Sequence, residues 1–299
     1  MKKRSLKAPL RVVAGVVAAL GLAGALAGCS VTGLLNVATS TPSVAVTRDV
    51  AYAPGDRHAL DVYAMPGGAG RPVVVFIYGG SWDSGSKKDY AFVGEALAKH
   101  GYVVFVPDYR LYPQVRWPDF LQDNALAVRW AKDHAAQFGG DPSKLVLMGH
   151  SAGAYDAVDL GVDTRWLSAV GLDPGRDVTA LVGLSGPYDF LPLHTKELRT
   201  IFGPEASRPD TQPINHVTGR EPPMLLITGD KDTTVEPGNS DRMAAKVTAA
   251  GGKVQVIHYP SLDHVRTVGA LADPLTFLAP VRRDVFQFID AQTGFAPGR

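Results

Sequence analysis

The segment "KLVLMGHSAGAYDAV", residues 144–158, constrains this chain more than any other. After Lys144, the residues Leu145, Val146, Leu147 and Met148 form an apolar run of buried-strand type. A single serine, Ser151, follows between Gly149 and Gly153, and the residues beyond it suit a helix. A strand that passes into a helix through so short a turn needs its neighbours small, because a side chain at 149 or 153 would crowd the bend. Such strand–turn–helix units build open, mainly parallel sheets, in which ligands sit outside the carboxyl ends of the strands. Ser151 therefore stands where chemistry is expected, with the positive end of the following helix near any negative charge that develops. The alternative at this stage is a tight structural turn.

The rest of the chain repeats the alternation. "RPVVVFIYGG", "YVVFVPDYR", "VTALVGLSG", "PPMLLITGD" and "KVQVIHYP" read as further strands. "FVGEALAKHG" has helical spacing and ends at Gly101, a suitable C-cap. In "FLQDNALAVRWAKDHAAQFGG" the residues Leu121, Ala125, Val128 and Ala135 line one helix face, and "LAPVRRDVFQFIDAQ" makes a final helix. The spacing predicts one α/β domain over residues 45–299: a mainly parallel sheet of eight-stranded type with helices on both faces and a short cap or loop at "LRTIFGPEASRPDTQPINHV". A hydrophobic share of 45% over 299 residues is enough for such a core. The net charge of +1 and the absence of a basic stripe argue against nucleic acid as a partner, and no obligate protein partner is evident. No spacing of histidines and acids suits a metal, and no cofactor is implied.

The N-terminus differs in kind. Lys2, Lys3, Arg4, Lys7 and Arg11 precede "VVAGVVAALGLAGALAGC", an apolar core too short and too rich in glycine for a comfortable membrane span. Its end, Leu26-Ala27-Gly28-Cys29, resembles the lipobox of bacterial lipoproteins, where cleavage precedes the cysteine and its thiol carries a diacylglycerol. On this reading residues 1–28 are a signal peptide, residues 29–44 are the lipidated Cys29 with a polar tether, and the protein is anchored at the cell envelope. In a Gram-negative cell Ser30 would favour the outer membrane. Cys29 is the single cysteine, so no intramolecular disulfide can form.

A serine nucleophile needs a base, and the base needs a carboxylate to orient it. His264, in "YPSLDHVRT", follows the last expected strand and falls at the catalytic edge. The other seven histidines lie in strands, at helix ends, in the cap or, like His150, in the turn itself. "LLITGDKDTTV" offers Asp230 and Asp232 after another strand, and Asp263 adjoins His264. The order serine, acid, histidine is that of α/β-hydrolases.

Over roughly residues 58–290 the chain resembles α/β-hydrolases of the carboxylesterase and hormone-sensitive-lipase-like group, BD-FAE-like enzymes included. "VPDYRLYP" is similar to that group's D-Y-R-L-A-P segment, "FGGDPSKLVLMGHSAG" to its elbow region, and "TGDKDTTV" to its H-G-x-x-D-x-x-V loop. The last match assigns the acid to Asp232. The group's H-G-G-G-W loop corresponds to Tyr78-Gly79-Gly80-Ser81-Trp82, where tyrosine replaces histidine. The resemblance thus implies Ser151, His264 and Asp232 as triad, with an oxyanion hole of backbone N–H groups from Gly79, Gly80 and Ala152. Trp82 is placed at the substrate pocket or, alternatively, in the core, and Asp108 with Arg110 as a pair bracing the loop. The expected activity is hydrolysis of small or soluble carboxylic esters. The same residues could serve an arylformamidase or peptide hydrolase, and Tyr78 leaves open a non-catalytic envelope binding protein.

Overall fold

The computed structural model describes residues 28–297, with the side chains of 28–32 and 34 outside that description. The signal-peptide reading and the thiol of Cys29 lie outside the described residues. Eight strands, β1 (Ala45–Ala51), β2 (Ala59–Ala64), β3 (Arg71–Ile77), β4 (Val103–Pro107), β5 (Gly140–His150), β6 (Ala180–Leu184), β7 (Met224–Gly229) and β8 (Val254–Tyr259), form one sheet. Their order is β1-β2-β4-β3-β5-β6-β7-β8. The pairings β1–β2 and β2–β4 are antiparallel and the remaining five are parallel. Strands β3, β4, β6 and β7 are buried along their whole length, which is why they read as unbroken apolar runs. A sheet centre without alternation is one covered on both faces.

The helices, in chain order, are α1 (Gly28–Thr39), α2 (Ala91–His100), α3 (Asp119–His134), α4 (Ala152–Val162), α5 (Thr164–Ala169), α6 (Pro174–Asp177), α7 (Lys196–Ile201), α8 (Gly238–Ala249), α9 (His264–Gly269) and α10 (Val281–Thr293). Helix α2 stops at Gly101, whose φ of 116° suits glycine and whose N–H donates to Ala98 O at 2.9 Å. Helix α10 buries Val281, Val285 and Ile289, one stripe at a four-residue spacing. The chain leaves β3 for β4 on one side and returns to β5 on the other. That reversal opens a crevice at the carboxyl ends of β3 and β5, between residues 78–82 and the turn at Ser151.

The expected tether is corrected. Residues 28–39 form α1, which packs on the body through Leu35 (5% exposed) and Thr39 (1% exposed). Asn36 holds it there: its amide donates to Lys88 O at 2.7 Å and its carbonyl oxygen accepts from Phe92 N at 2.9 Å, at the start of α2. Small polar side chains suggested a tether, but Leu35, Asn36 and Thr39, whose carbonyl oxygen also accepts from Lys99 Nζ at 2.6 Å, seat the helix on the body. Strand β1 is not announced by an apolar run, because it is an edge strand with no buried residue, and β2, though buried at five of six positions, has Asp61 within its run. The cap resolves into α7 and two 3-10 turns, Glu205–Thr211 and Pro213–His216.

Candidate active site

Ser151 sits between β5 and α4 with φ 56° and ψ −124°. This is the region of the first central residue of a type II′ turn, which strongly favours glycine, so an L-residue here carries strain of roughly 1–3 kcal/mol. The surrounding contacts enforce it. A Cβ at Gly149 would lie 2.0 Å from Gly153 O, and one at Gly153 would lie 2.1 Å from Ile77 O. The bend presents Ser151 Oγ to His264 Nε2 at 2.8 Å.

His264 opens α9, after β8, and its Nδ1 faces Asp232 Oδ2 at 2.7 Å. Asp232, on the loop after β7, is 5% exposed. Its second oxygen accepts from Thr234 N and Val235 N, both at 2.9 Å. Burial alone would raise the Asp232 pKa, but the His264 hydrogen bond and charge and the two backbone N–H groups outweigh it, holding the carboxyl below its ordinary value. Asp230 instead faces His258 Nδ1 at 2.7 Å on the surface, and Asp263 caps α9 by accepting from Arg266 N. The acid at the base is therefore Asp232.

The carbonyl of His264 is itself fixed. Thr267 Oγ1 donates to it at 2.6 Å, and His150 Nε2 lies 3.0 Å away. His150 therefore carries its proton on Nε2, and its Nδ1 faces the Tyr90 hydroxyl at 3.3 Å. Burial, with the neighbouring His264 charge, pushes the His150 pKa down to about 3. The histidine beside the nucleophile thus stays neutral while His264 works.

Across the crevice, Gly80, Ser81 and Trp82 all have positive φ, at 140°, 52° and 60°. Among the described residues, the N–H groups of Gly80 and Ala152 meet no protein acceptor; Ala152 N–H is one of the unpaired donors of a helix's first turn. Both are free to donate to a ligand in the crevice. Gly79 packs against His150 and Ser151, where an added Cβ would lie 2.8 Å from His150 O.

Tyr78 is built in. Its hydroxyl donates to Asp108 Oδ1 at 3.0 Å and accepts from Arg57 Nη2 at 2.6 Å, while its ring stacks on Tyr109 at 4.8 Å. Burial raises its pKa, so it remains a donor. Arg57 also donates to Gly85 O and Tyr109 O, at 2.8 and 2.7 Å, and so holds the oxyanion loop from beneath. The expected Asp108–Arg110 pair does not form: Arg110 clasps Asp123 with two nitrogens, because α3 brings that carboxylate nearer than the one two residues away. Arg57 was not foreseen; its position, 21 residues before Tyr78, leaves no local signal.

The pocket role of Trp82 is corrected as well. Trp82 is 3% exposed, with its ring against Phe120, Tyr155 and Phe202. Its indole N–H donates to Asp156 Oδ1 at 3.0 Å. A residue so enclosed is core, lying beneath the site. Asp156 also escaped notice, although an acid within "AYDAV" on a helix buried throughout is a visible oddity.

Among the described residues no group of three His, Cys, Asp or Glu is arranged for a metal, and no helix is long and apolar enough to cross a membrane. A groove of about 440 Å³ lined by His100, Phe286 and Asp290 contains none of the triad.

Comparison with known proteins fits this geometry. The BD-FAE family model matches residues 60–247. The chain is 31% identical over 265 residues to isoprenylcysteine alpha-carbonyl methylesterase ICME of Arabidopsis thaliana, covering 81% of this chain and 62% of that one. It is 30% identical over 271 residues to esterase LipC of Mycobacterium tuberculosis, covering 81% and 66%. It thus spans between half and two thirds of the length of these curated relatives. Among solved structures, esterase B from Lactobacillus rhamnosis superposes with a TM-score of 0.76 at 20% identity, over 95% of this chain and 96% of that one. Thermogutta terrifontis esterase 2 does so with a TM-score of 0.69 at 25% identity, over 86% and 98%. The fold is that of the α/β-hydrolases.

Proposed function

Because the chain belongs to the BD-FAE family, we propose that it is a serine carboxylic-ester hydrolase working through an acyl-enzyme. One observation carries the reading: Ser151 Oγ, both ring nitrogens of His264 and Asp232 Oδ2 stand in an unbroken line, with links of 2.8 and 2.7 Å. Ser151 Oγ attacks the ester carbonyl as its proton passes to His264 Nε2. The oxyanion forms against the N–H groups of Gly80 and Ala152, where one such donor is worth about 10²–10³ in rate. Asp232, kept ionised, stabilises the imidazolium and holds the Nδ1–H tautomer. Collapse breaks the C–O bond, and the proton on Nε2 leaves with the alcohol. Water then attacks the acyl group, giving its proton to Nε2, and the carboxylic acid departs as Ser151 Oγ is reprotonated.

The short cap, one six-residue helix and two 3-10 turns, supports small or soluble acyl groups as substrates. The alternative of an inert binding protein rested on Tyr78; the bracing of Tyr78 by Arg57 and Asp108 and the aligned triad support the esterase reading over it. Hydrolysis of p-nitrophenyl esters from acetate to palmitate by the full-length chain tests the reading. The expected outcome is a rate highest at short chains and reduced about 10⁶-fold in Ser151→Ala. Equal rates in the variant and the wild type would overturn it.

The envelope location is part of the same proposal and rests on the basic, apolar and "LAGC" pattern of residues 2–29. Cleavage before Cys29 would remove Gly28 and leave the rest of α1, packed on the body, next to the bilayer. Cys29→Ser should then move the chain from the membrane to the soluble fraction; an unchanged distribution would remove the anchor.

A further inference from the structure

We infer that Asp156 and Trp82 are positioning residues that clamp the oxyanion loop to the elbow helix and so set the spacing of the two halves of the oxyanion hole. The inference rests on the esterase reading above. Gly80 supplies its N–H from the loop after β3, and Ala152 supplies its own from the first turn of α4. These elements are separate in sequence, and the hole exists only at their correct separation. Trp82 follows Gly80 by two residues, and Asp156 follows Ala152 by four on the same helix. The 3.0 Å bond from Trp82 Nε1 to Asp156 Oδ1 joins them. The other backbone hydrogen bonds of Gly80 and Trp82 lead elsewhere. Gly80 O accepts from Asp83 N and Ser84 N within the loop, and Trp82 O accepts from Tyr112 N.

The choice of residue adds to the case. Asp156 is fully buried, and its second oxygen accepts only from Asn124 Nδ2, at 3.1 Å. Among the described residues no lysine, arginine or histidine pairs with it. Burying a carboxyl group with neutral donors alone is unfavourable, and an apolar residue would fill the space on α4 without that cost. The acid stands where the loop offers an indole N–H. The same helix supplies a control: Trp166 Nε1 donates to buried Asp159 Oδ2 at 2.9 Å in the same manner, but neither residue adjoins the oxyanion loop.

The test compares Trp82→Phe, Asp156→Ala, Asp156→Asn and Trp166→Phe in the full-length chain. It reads kcat and KM on p-nitrophenyl acetate, the rate of phosphonylation by a fluorophosphonate, and Tm. Trp82→Phe and Asp156→Ala should each lose about 10- to 100-fold in kcat with KM within about threefold, since a displacement of ~1 Å costs up to about 10². Phosphonylation should slow in parallel. Asp156→Asn should recover to within about threefold of wild type, because its Oδ1 can still accept from the indole and, once the Asn124 side chain turns its amide over, its NH2 can donate to Asn124 Oδ1, which is otherwise unpartnered. Trp166→Phe should lower Tm and leave kcat unchanged. Where Asp156→Ala does not fold, Trp82→Phe carries the test. A kcat within threefold of wild type in Trp82→Phe, or an equal loss in Trp166→Phe, would overturn the clamp alone. A wild type inert to both ester and fluorophosphonate would instead remove the esterase reading and the clamp with it.

Discussion

Replacing Ser151 by glycine should leave a more stable protein than replacing it by alanine, the reverse of the usual order. At an ordinary position glycine is the worse of the two by about 0.5–1 kcal/mol, because its unfolded chain has more freedom to lose. At φ 56° and ψ −124° the Cβ of alanine keeps the strain of the native serine, whereas glycine releases it. With that strain at about 1–3 kcal/mol and the entropy term subtracted, Ser151→Gly should exceed Ser151→Ala by up to about 2.5 kcal/mol. The comparison is clean, since both variants lose the 2.8 Å bond to His264 and both are inactive. Urea unfolding followed by far-UV circular dichroism gives the two midpoints, with the slopes m checked for equality. A Ser151→Ala midpoint equal to or above that of Ser151→Gly would show that the bend stores no strain at this residue.

Other expectations concern the groups around the triad. Asp232→Asn should lower kcat about 10⁴-fold by releasing the His264 tautomer, whereas Asp230→Asn, whose carboxylate faces His258, should leave kcat within about twofold in the same ester assay. His150 is held neutral in the fold, its pKa about 3 against 6.5 in an open chain, so below pH 6.5 the unfolded chain binds a proton that the folded chain refuses. Its contribution therefore falls as pH drops through that window, by about 2 kcal/mol between pH 7 and pH 5. His150→Gln should flatten the fall in the urea midpoint between those two pH values, and an unchanged pH dependence would count against the burial of a neutral histidine. Gly153→Ala should destabilise by about 3 kcal/mol or more, because its Cβ meets the backbone oxygens of Ile77 and Tyr78 at 2.1 and 2.4 Å; a thermal scan within 2 °C of wild type would contradict the packing described.

What could be read from the chain was what is local to a strand end. The elbow depends on Gly149 and Gly153, each within two residues of Ser151, and Asp232 and His264 each follow an apolar strand closely. Their convergence needed only the assumption that parallel strands deliver their loops to one edge. The support of the site is of another kind. Tyr78 is held by Arg57 and Asp108, 21 and 30 residues away in sequence, and no periodicity records such a pairing. Asp108 has Arg110 two residues on, yet the fold gives Arg110 to Asp123 across the start of α3. Trp82, which an open loop would leave at the pocket, is drawn under the site by Asp156. Helix α1 and the edge strand β1 were obscure for a further reason: α1 is seated by Leu35, Asn36 and Thr39 and β1 by its backbone ladder to β2, so neither needs the apolar pattern that marks the sheet centre.

The most direct test of the account is the pre-steady-state reaction of the full-length chain with p-nitrophenyl acetate, followed by mass analysis of the peptide that contains Ser151. The account predicts a burst of about one p-nitrophenolate per chain, an acetyl group on Ser151 after acid quenching, and neither in Ser151→Ala. Turnover without a burst and without a mass shift at Ser151, or acetylation at another residue in both chains, would contradict it.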